Sequence, residues 1–241
     1  MRRSGPPFVS NEAFERHASA LRLKARRAGL WSGEGAIDPE PIAEFVLGVE
    51  LVIGDLQRRF GLDEGVLGAA WFEENRIAVD ERLDAHEGRR NFTVAHEIGH
   101  WVLHRPLWEQ HRANGVLNFE VDVPDNEDVP LGTLICLPQQ ARTRRDPYEY
   151  QADRFASAFL MPEDTLRAAA AKILAGERVE VEDVLEAVHG QTPDSGRLES
   201  VADEFMRVSG ITNVSNEAMR RRLHDLRIFQ LPNATGRLPG V

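Results

Sequence analysis

Apolar positions along this chain recur in two rhythms, one helical and one strand-like. From Asn11 to Trp31 the spacing is helical, with Phe14, Leu21 and Leu23 on or near one side, and Pro39 to Val46 reads as a second, short helix. Gly33-Glu34-Gly35 breaks the first helix, and with no strand before it this GxG is not a phosphate loop. Val49–Ile53, Val66–Phe72 and Arg76–Val79 read as strands, the last two joined as a hairpin through Glu73-Glu74-Asn75. Helical spacing returns from Phe92 to His104. It returns again after Asp146, where Ala152, Phe155, Ala156, Phe159 and Leu160 form one apolar stripe. Beyond Pro162 the pattern is all-helical. Glu163–Ala175 stops at Gly176 and Val181–His189 stops at Gly190; Leu198–Val208 and Asn216–Ile228 then form a final pair, with Met219, Leu223 and Leu226 on one face. Residues 1–10 read as disordered. Residues 105–146 contain an acidic, loop-like stretch, Asn118–Asp128, and a strand signal, Leu131–Leu137. That strand has two readings: an edge strand that pairs with a substrate backbone, or a buried structural strand.

The helix over Phe92–His104 carries the main candidate chemistry. His96-Glu97-Ile98-Gly99-His100 sets two imidazoles one turn apart on the same face, with Glu97 beside them. This HExxH arrangement suits a zinc ion carrying a water that the carboxylate can deprotonate. The motif fixes only three positions in a chain with eight histidines, so it needs support. Gly99 supplies some, because glycine is costly inside a helix and calls for a reason such as close packing or access to a site.

Further support lies downstream. Glu149 is a candidate third ligand, which would keep a fourth position open for water. Asp153 follows one turn later and could accept the other ring N–H of a ligating histidine. The small residues of the stripe would let this helix pack closely on the motif helix. Glu149 also has a structural reading. Asp146 looks like an N-cap with Pro147 at the first helical position, which puts Glu149 where a capping box would use it. His104 continues the spacing and rivals Glu149. Three ligands on one straight helix would span about 12 Å at roughly 1.5 Å per residue, too far for one ion. His104 is therefore expected at the helix end, where a donor suits the dipole.

At 241 residues, the chain has room for one large domain or a core domain with an appendage. No apolar run approaches a membrane span, and the N-terminus lacks the apolar segment of a signal peptide. Cys136 is the only cysteine, so no internal disulfide forms, and a buried inert thiol is favoured over a redox sensor. Together these point to the cytoplasm. The net charge of −10 argues against a whole-surface nucleic-acid binder. Local basic clusters occur at Arg22, Lys24, Arg26 and Arg27, at Arg142, Arg144 and Arg145, and at Arg220, Arg221 and Arg222; they read as solvated faces or loops.

The segment Arg90–His104 resembles the "RFTLAHELGHLLLH" stretch of ImmA/IrrE-type metallopeptidases, and Glu149–Pro162 resembles that family's "ExEANxFAxxLLMP" stretch. The Glu149–Asp153 spacing is also similar to that of thermolysin-like Glu-zincins. In this chain Asp153 stands where Asn is frequent, Asn91 stands where Arg or Gln is frequent, and the long segment 105–146 separates the motifs. The resemblance implies an α+β, zincin-like core with a small twisted sheet over the HExxH helix, then a helical, helix-turn-helix-like tail. The expected domains are an N-terminal tail and helix at 1–37, a metallopeptidase domain at 38–192 and a helical region at 193–241. The resemblance further implies zinc (Mn2+ being the alternative ion) held by His96, His100 and Glu149, with Glu97 as base. Its substrate would be a transcriptional repressor, cleaved under stress or in control of a mobile element. Direct DNA binding by the tail is not favoured, and no membrane partner is expected. Tyr148, Tyr150, His104 and His189 are unranked candidates for a second oxyanion donor, and no substrate-binding residue is assigned. The competing reading is a regulatory module whose metal site does not cleave and which inactivates a repressor by binding alone.

Overall fold

The computed structural model describes residues 6–114, 133–136, 146–175 and 195–228. The expectations for the acidic stretch Asn118–Asp128, for Arg142, Arg144 and Arg145, and for a helix over Val181–His189 lie outside the described residues. The chain divides into two units. One is Met1–Gly33 with Asp38–Leu160, and the other is Glu34–Ile37 with Met161–Val241.

In the first unit, residues 6–10 are ordered, contrary to expectation: Ser10 caps helix α1 (Asn11–Arg27) by accepting from the Ala13 N–H. Helix α1 stops short of Trp31 because Gly29 turns the chain with φ 74°. Phe14 and Leu21 are buried in it, whereas Leu23 is exposed, so the apolar stripe is narrower than the sequence suggested. Helix α2 (Pro39–Phe45) starts on an Asp38 cap with proline in its first turn. A five-residue helix, α3 (Leu56–Phe60), was not foreseen. It runs from an Asp55 cap to Gly61 at φ 68°, a start and stop signal flanking too short a run to show periodicity.

Among the described residues the sheet has four strands in the order β1-β3-β2-β4. Strand β1 (Glu50–Gly54) runs parallel to β3 (Arg76–Asp80). Strands β2 (Gly68–Trp71) and β3 form the expected antiparallel hairpin, turned at Asn75 with φ 56°. Strand β4 (Thr133–Cys136) pairs antiparallel with β2, Gly68 opposite Cys136, and forms an edge among the described residues. On β2 the side chains alternate. Ala69 and Trp71 enter an apolar cluster with Leu56, Leu62, Val66 and Ala78, while Gly68 faces helix α4 (Glu87–Leu103).

Helix α5 (Arg105–Ala113) was not foreseen in the segment after His104. Pro106 lies in its first turn, and Trp101 and Trp108, seven residues apart, both pack on Phe72 with ring centroids 5.6 and 5.9 Å away. Helix α6 (Pro147–Leu160) packs against α4 and α1. Arg22 on α1 is buried, and its Nη1 donates to the Ala158 carbonyl at 2.6 Å, near the end of α6. This basic residue is therefore a helix-end ligand and not part of a solvated face.

The described residues of the second unit include three helices: α7 (Glu163–Leu174), α8 (Ser195–Ser209) and α9 (Asn216–Asp225), the last capped by Ser215. Met219 and Leu223 are buried and Leu226 is half-buried. Arg222 is buried as well, its Nε donating to the Met161 carbonyl at 2.9 Å, so its cluster too is not simply a solvated face. The segment at Gly35 joins this unit through backbone approach: a Cβ there would lie 3.2 Å from the Gly210 carbonyl oxygen. Both glycines have positive φ.

Candidate metal centre

The site is built where α4 crosses α6. Close approach depends on Gly99, because a Cβ there would lie 3.1 Å from both Cα and the carbonyl oxygen of Ala152. The glycine in HExxH and the alanine in the α6 stripe thus bring the two polar faces together. His96, His100 and Glu149, all buried, form a cluster whose candidate ligand atoms lie within 4.8 Å of one another. The two Nε2 atoms are 2.9 Å apart, His100 Nε2 is 3.0 Å from Glu149 Oε1, and His96 Nε2 is 3.4 Å from Glu149 Oε2.

These distances fit one small ion. Tetrahedral bonds of about 2.0–2.1 Å separate ligand atoms by roughly 3.3 Å, close to the spacings here. Two imidazoles with one carboxylate suit zinc and neighbouring transition metals, whereas Mg2+ and Ca2+ prefer oxygen donors. Depressed proton affinity also favours coordination. Burial pushes His100 below its ordinary pKa, against the pull of Glu149, which favours the unprotonated ring that a metal requires. Burial alone would raise the Glu149 carboxyl, but the adjacent His96 and His100 hold it well below the usual carboxylate range.

The capping-box reading of Glu149 is resolved by geometry. Asp146 caps α6, its Oδ1 accepting from the Tyr148 N–H at 2.8 Å, while the Glu149 carboxylate lies against the two imidazoles. Asp153 Oδ1 lies 2.9 Å from His96 Nδ1, which turns His96 Nε2 towards His100 and Glu149. Glu97 is completely buried and packs on β2. A Cβ on Gly68 would overlap Glu97 Oε1, so glycine here leaves that carboxylate where it is.

His104 sits at the C-cap of α4, at the helix end as expected, but it is buried and not solvated. Its Nδ1 is 2.9 Å from His100 Nδ1, and its Nε2 is 3.1 Å from Gln151 Oε1. Burial, with His100 close by, pushes its pKa down to about 3. Both ring nitrogens are engaged, which removes His104 from the oxyanion candidates. Tyr148 packs edge-on against His104 with centroids 5.0 Å apart, and Tyr150 is exposed. His189 lies outside the described residues. Gln151 was not foreseen as part of the site. Its only signal is its place two residues after Glu149, where an amide would ordinarily pass for a surface position.

Residues 131–224 match the family model of the IrrE N-terminal-like domain, Peptidase_M78. The match supports the ImmA/IrrE-type peptidase family. It spans β4 and α6 through most of α9 and so includes Glu149 and Asp153, while the HExxH helix lies before it. No curated protein matches the chain. The matched family is one of peptidases, and the His96–His100–Glu149 cluster is a candidate metal site that fits a metallopeptidase. Among the described residues, no helix is long and apolar enough to cross a membrane.

Proposed function

We propose that this chain is a zinc-dependent endopeptidase with a zincin-like core, cutting a transcriptional repressor at a specific site in a stress response or in control of a mobile element. The observation that carries the reading is the buried contact of His96, His100 and Glu149, with Glu97 on the same helix. Zinc held by those three side chains would polarise a peptide carbonyl and make a water acidic enough to be deprotonated near neutral pH. Asp153 orients the His96 ring, and β2 packs against Glu97 at Gly68. Glu97 takes a proton from the water that adds to the peptide carbon and delivers it to the departing amine as the C–N bond breaks. The α8–α9 pair is helix-turn-helix-like in this proposal and serves to dock a helix-turn-helix repressor in preference to DNA. The protein acts in the cytoplasm.

The test compares cells expressing wild type with cells expressing Glu97→Gln, mapping new protein N-termini in each. A cut made only by wild type supports the peptidase and names its substrate. If zinc is bound in both and no cut differs, the peptidase reading fails in favour of a module that inactivates its repressor by binding alone.

A further inference from the structure

A hydrogen-bonded line runs away from the His100 side of the centre, and its two ends set its polarity. Gln151 Nε2 donates to the Pro7 carbonyl at 2.8 Å. A carbonyl only accepts, so the amide nitrogen must face Pro7 and Oε1 must face His104. That oxygen also only accepts, so His104 carries its ring proton on Nε2, 3.1 Å away. At the other end His100 Nε2 points into the ligand cluster, and a ligating nitrogen carries no proton, so the His100 ring proton sits on Nδ1, facing His104 Nδ1. His100 Nδ1, at 2.9 Å, must then be the donor. The remaining His100 nitrogen, Nε2, keeps its lone pair, and this is the atom that lies 3.0 Å from Glu149 Oε1.

We propose that Pro7, Gln151 and His104 are positioning residues of the metal centre, holding His100 as the Nδ1–H tautomer so that Nε2 is committed to the ion. His96 reaches the same state through one carboxylate, Asp153. His100 reaches it through neutral groups only, anchored on a backbone carbonyl ahead of α1. Reversing the Gln151 amide would reverse the line: His104 would donate to His100 Nδ1, and the His100 proton would move to Nε2, where it blocks ligation. This inference rests on the metallopeptidase reading above.

The test uses the full chain with 15N-labelled histidine, before and after zinc loading, and long-range 1H–15N correlation of the ring nitrogens. The expected spectrum has His100 protonated on Nδ1 and His104 on Nε2 in both states. A proton on His100 Nε2 before loading, or on His104 Nδ1 after it, overturns the proposal. In parallel, zinc affinity is measured by competition with a chromophoric chelator. His104→Leu is expected to bind about 10–100-fold more weakly, and His104→Gln, which restores an acceptor oxygen, to recover part of that loss. Wild type that takes up no zinc sinks the metallopeptidase reading and this inference with it. Wild type that binds zinc, with His104→Leu unchanged, sinks the inference alone. The spectrum needs no variant and decides the matter even if His104→Leu does not fold.

Discussion

The two units handle buried polarity in opposite ways. Apart from Arg222, every buried polar or charged side chain among the described residues lies in the first unit. Most of these sit on α4 and α6: Asn91, Thr93, His96, Glu97 and His100 on one, Glu149, Gln151 and Ser157 on the other. The second unit packs Leu166, Ile173, Phe205, Met219 and Leu223, and its buried Arg222 satisfies a carbonyl. Burying imidazoles and carboxylates costs free energy unless they are matched to partners or to an ion. The first unit accepts that cost at one place, where two helices are close enough for the groups to meet. The second unit has the composition of an ordinary apolar core. A fold optimised only for stability would resemble the second unit throughout.

Substitutions can break this comparison. Glu97→Gln should lower the rate of peptide cleavage by about 10²–10⁴-fold while zinc stoichiometry, measured by metal analysis, stays at the wild-type level. Leu223→Ala should cost about 2–5 kcal/mol in denaturant melts, as cavity formation in an apolar core does, with zinc content of the folded protein unchanged. Loss of zinc together with stability would erase the distinction between the units. Gly68→Ala sharpens the comparison within the first unit. Its new methyl meets Glu97 Oε1 and Thr93 Cγ2, so the carboxylate must move. A displacement of that kind should lower kcat by roughly 100-fold while zinc remains bound; kinetics at wild-type levels would show that the position of Glu97 over β2 is unimportant. Gly99→Val should lower stability by about 1–3 kcal/mol, because its side chain meets the Ala152 backbone and the helices must part. Thermal melts with and without zinc would reveal whether the loss is larger in the loaded protein, as separation of His96 and His100 from Glu149 requires.

Much of this site was legible before any coordinates. The i, i+4 spacing of His96 and His100 follows from helix geometry alone, and their helix announces itself by its apolar periodicity. Asp153 was legible for the same reason, one turn from Glu149 on a helix whose start Asp146 and Pro147 mark. The parts that escaped share a physical cause. Helix α3 is too short for periodicity to speak, and α5 is held by Trp101 and Trp108 packing on Phe72, a long-range contact. Arg22 and Arg222 looked like surface charges because a sequence does not reveal which helix-end carbonyls lack partners. The family match begins after the HExxH helix, so that motif and the matched region were joined by geometry: His100 Nε2 lies 3.0 Å from Glu149 Oε1.

The sequence by itself determined the donors: two imidazoles one turn apart, a carboxylate between them, and a second acidic pair on another helix. These rest on local rules, the pitch of a helix and the chemistry of side chains. Only the tertiary structure decided between Glu149 as a cap and Glu149 against the histidines, since both are compatible with the same local helix. Only it turned Gly99 and Gly68 from conformational costs into the clearances that let α6 and Glu97 come close. Only it brought Pro7, Gln151 and His104 into one hydrogen-bonded line, because residues separated by 144 and 47 positions meet through packing, which no local pattern encodes.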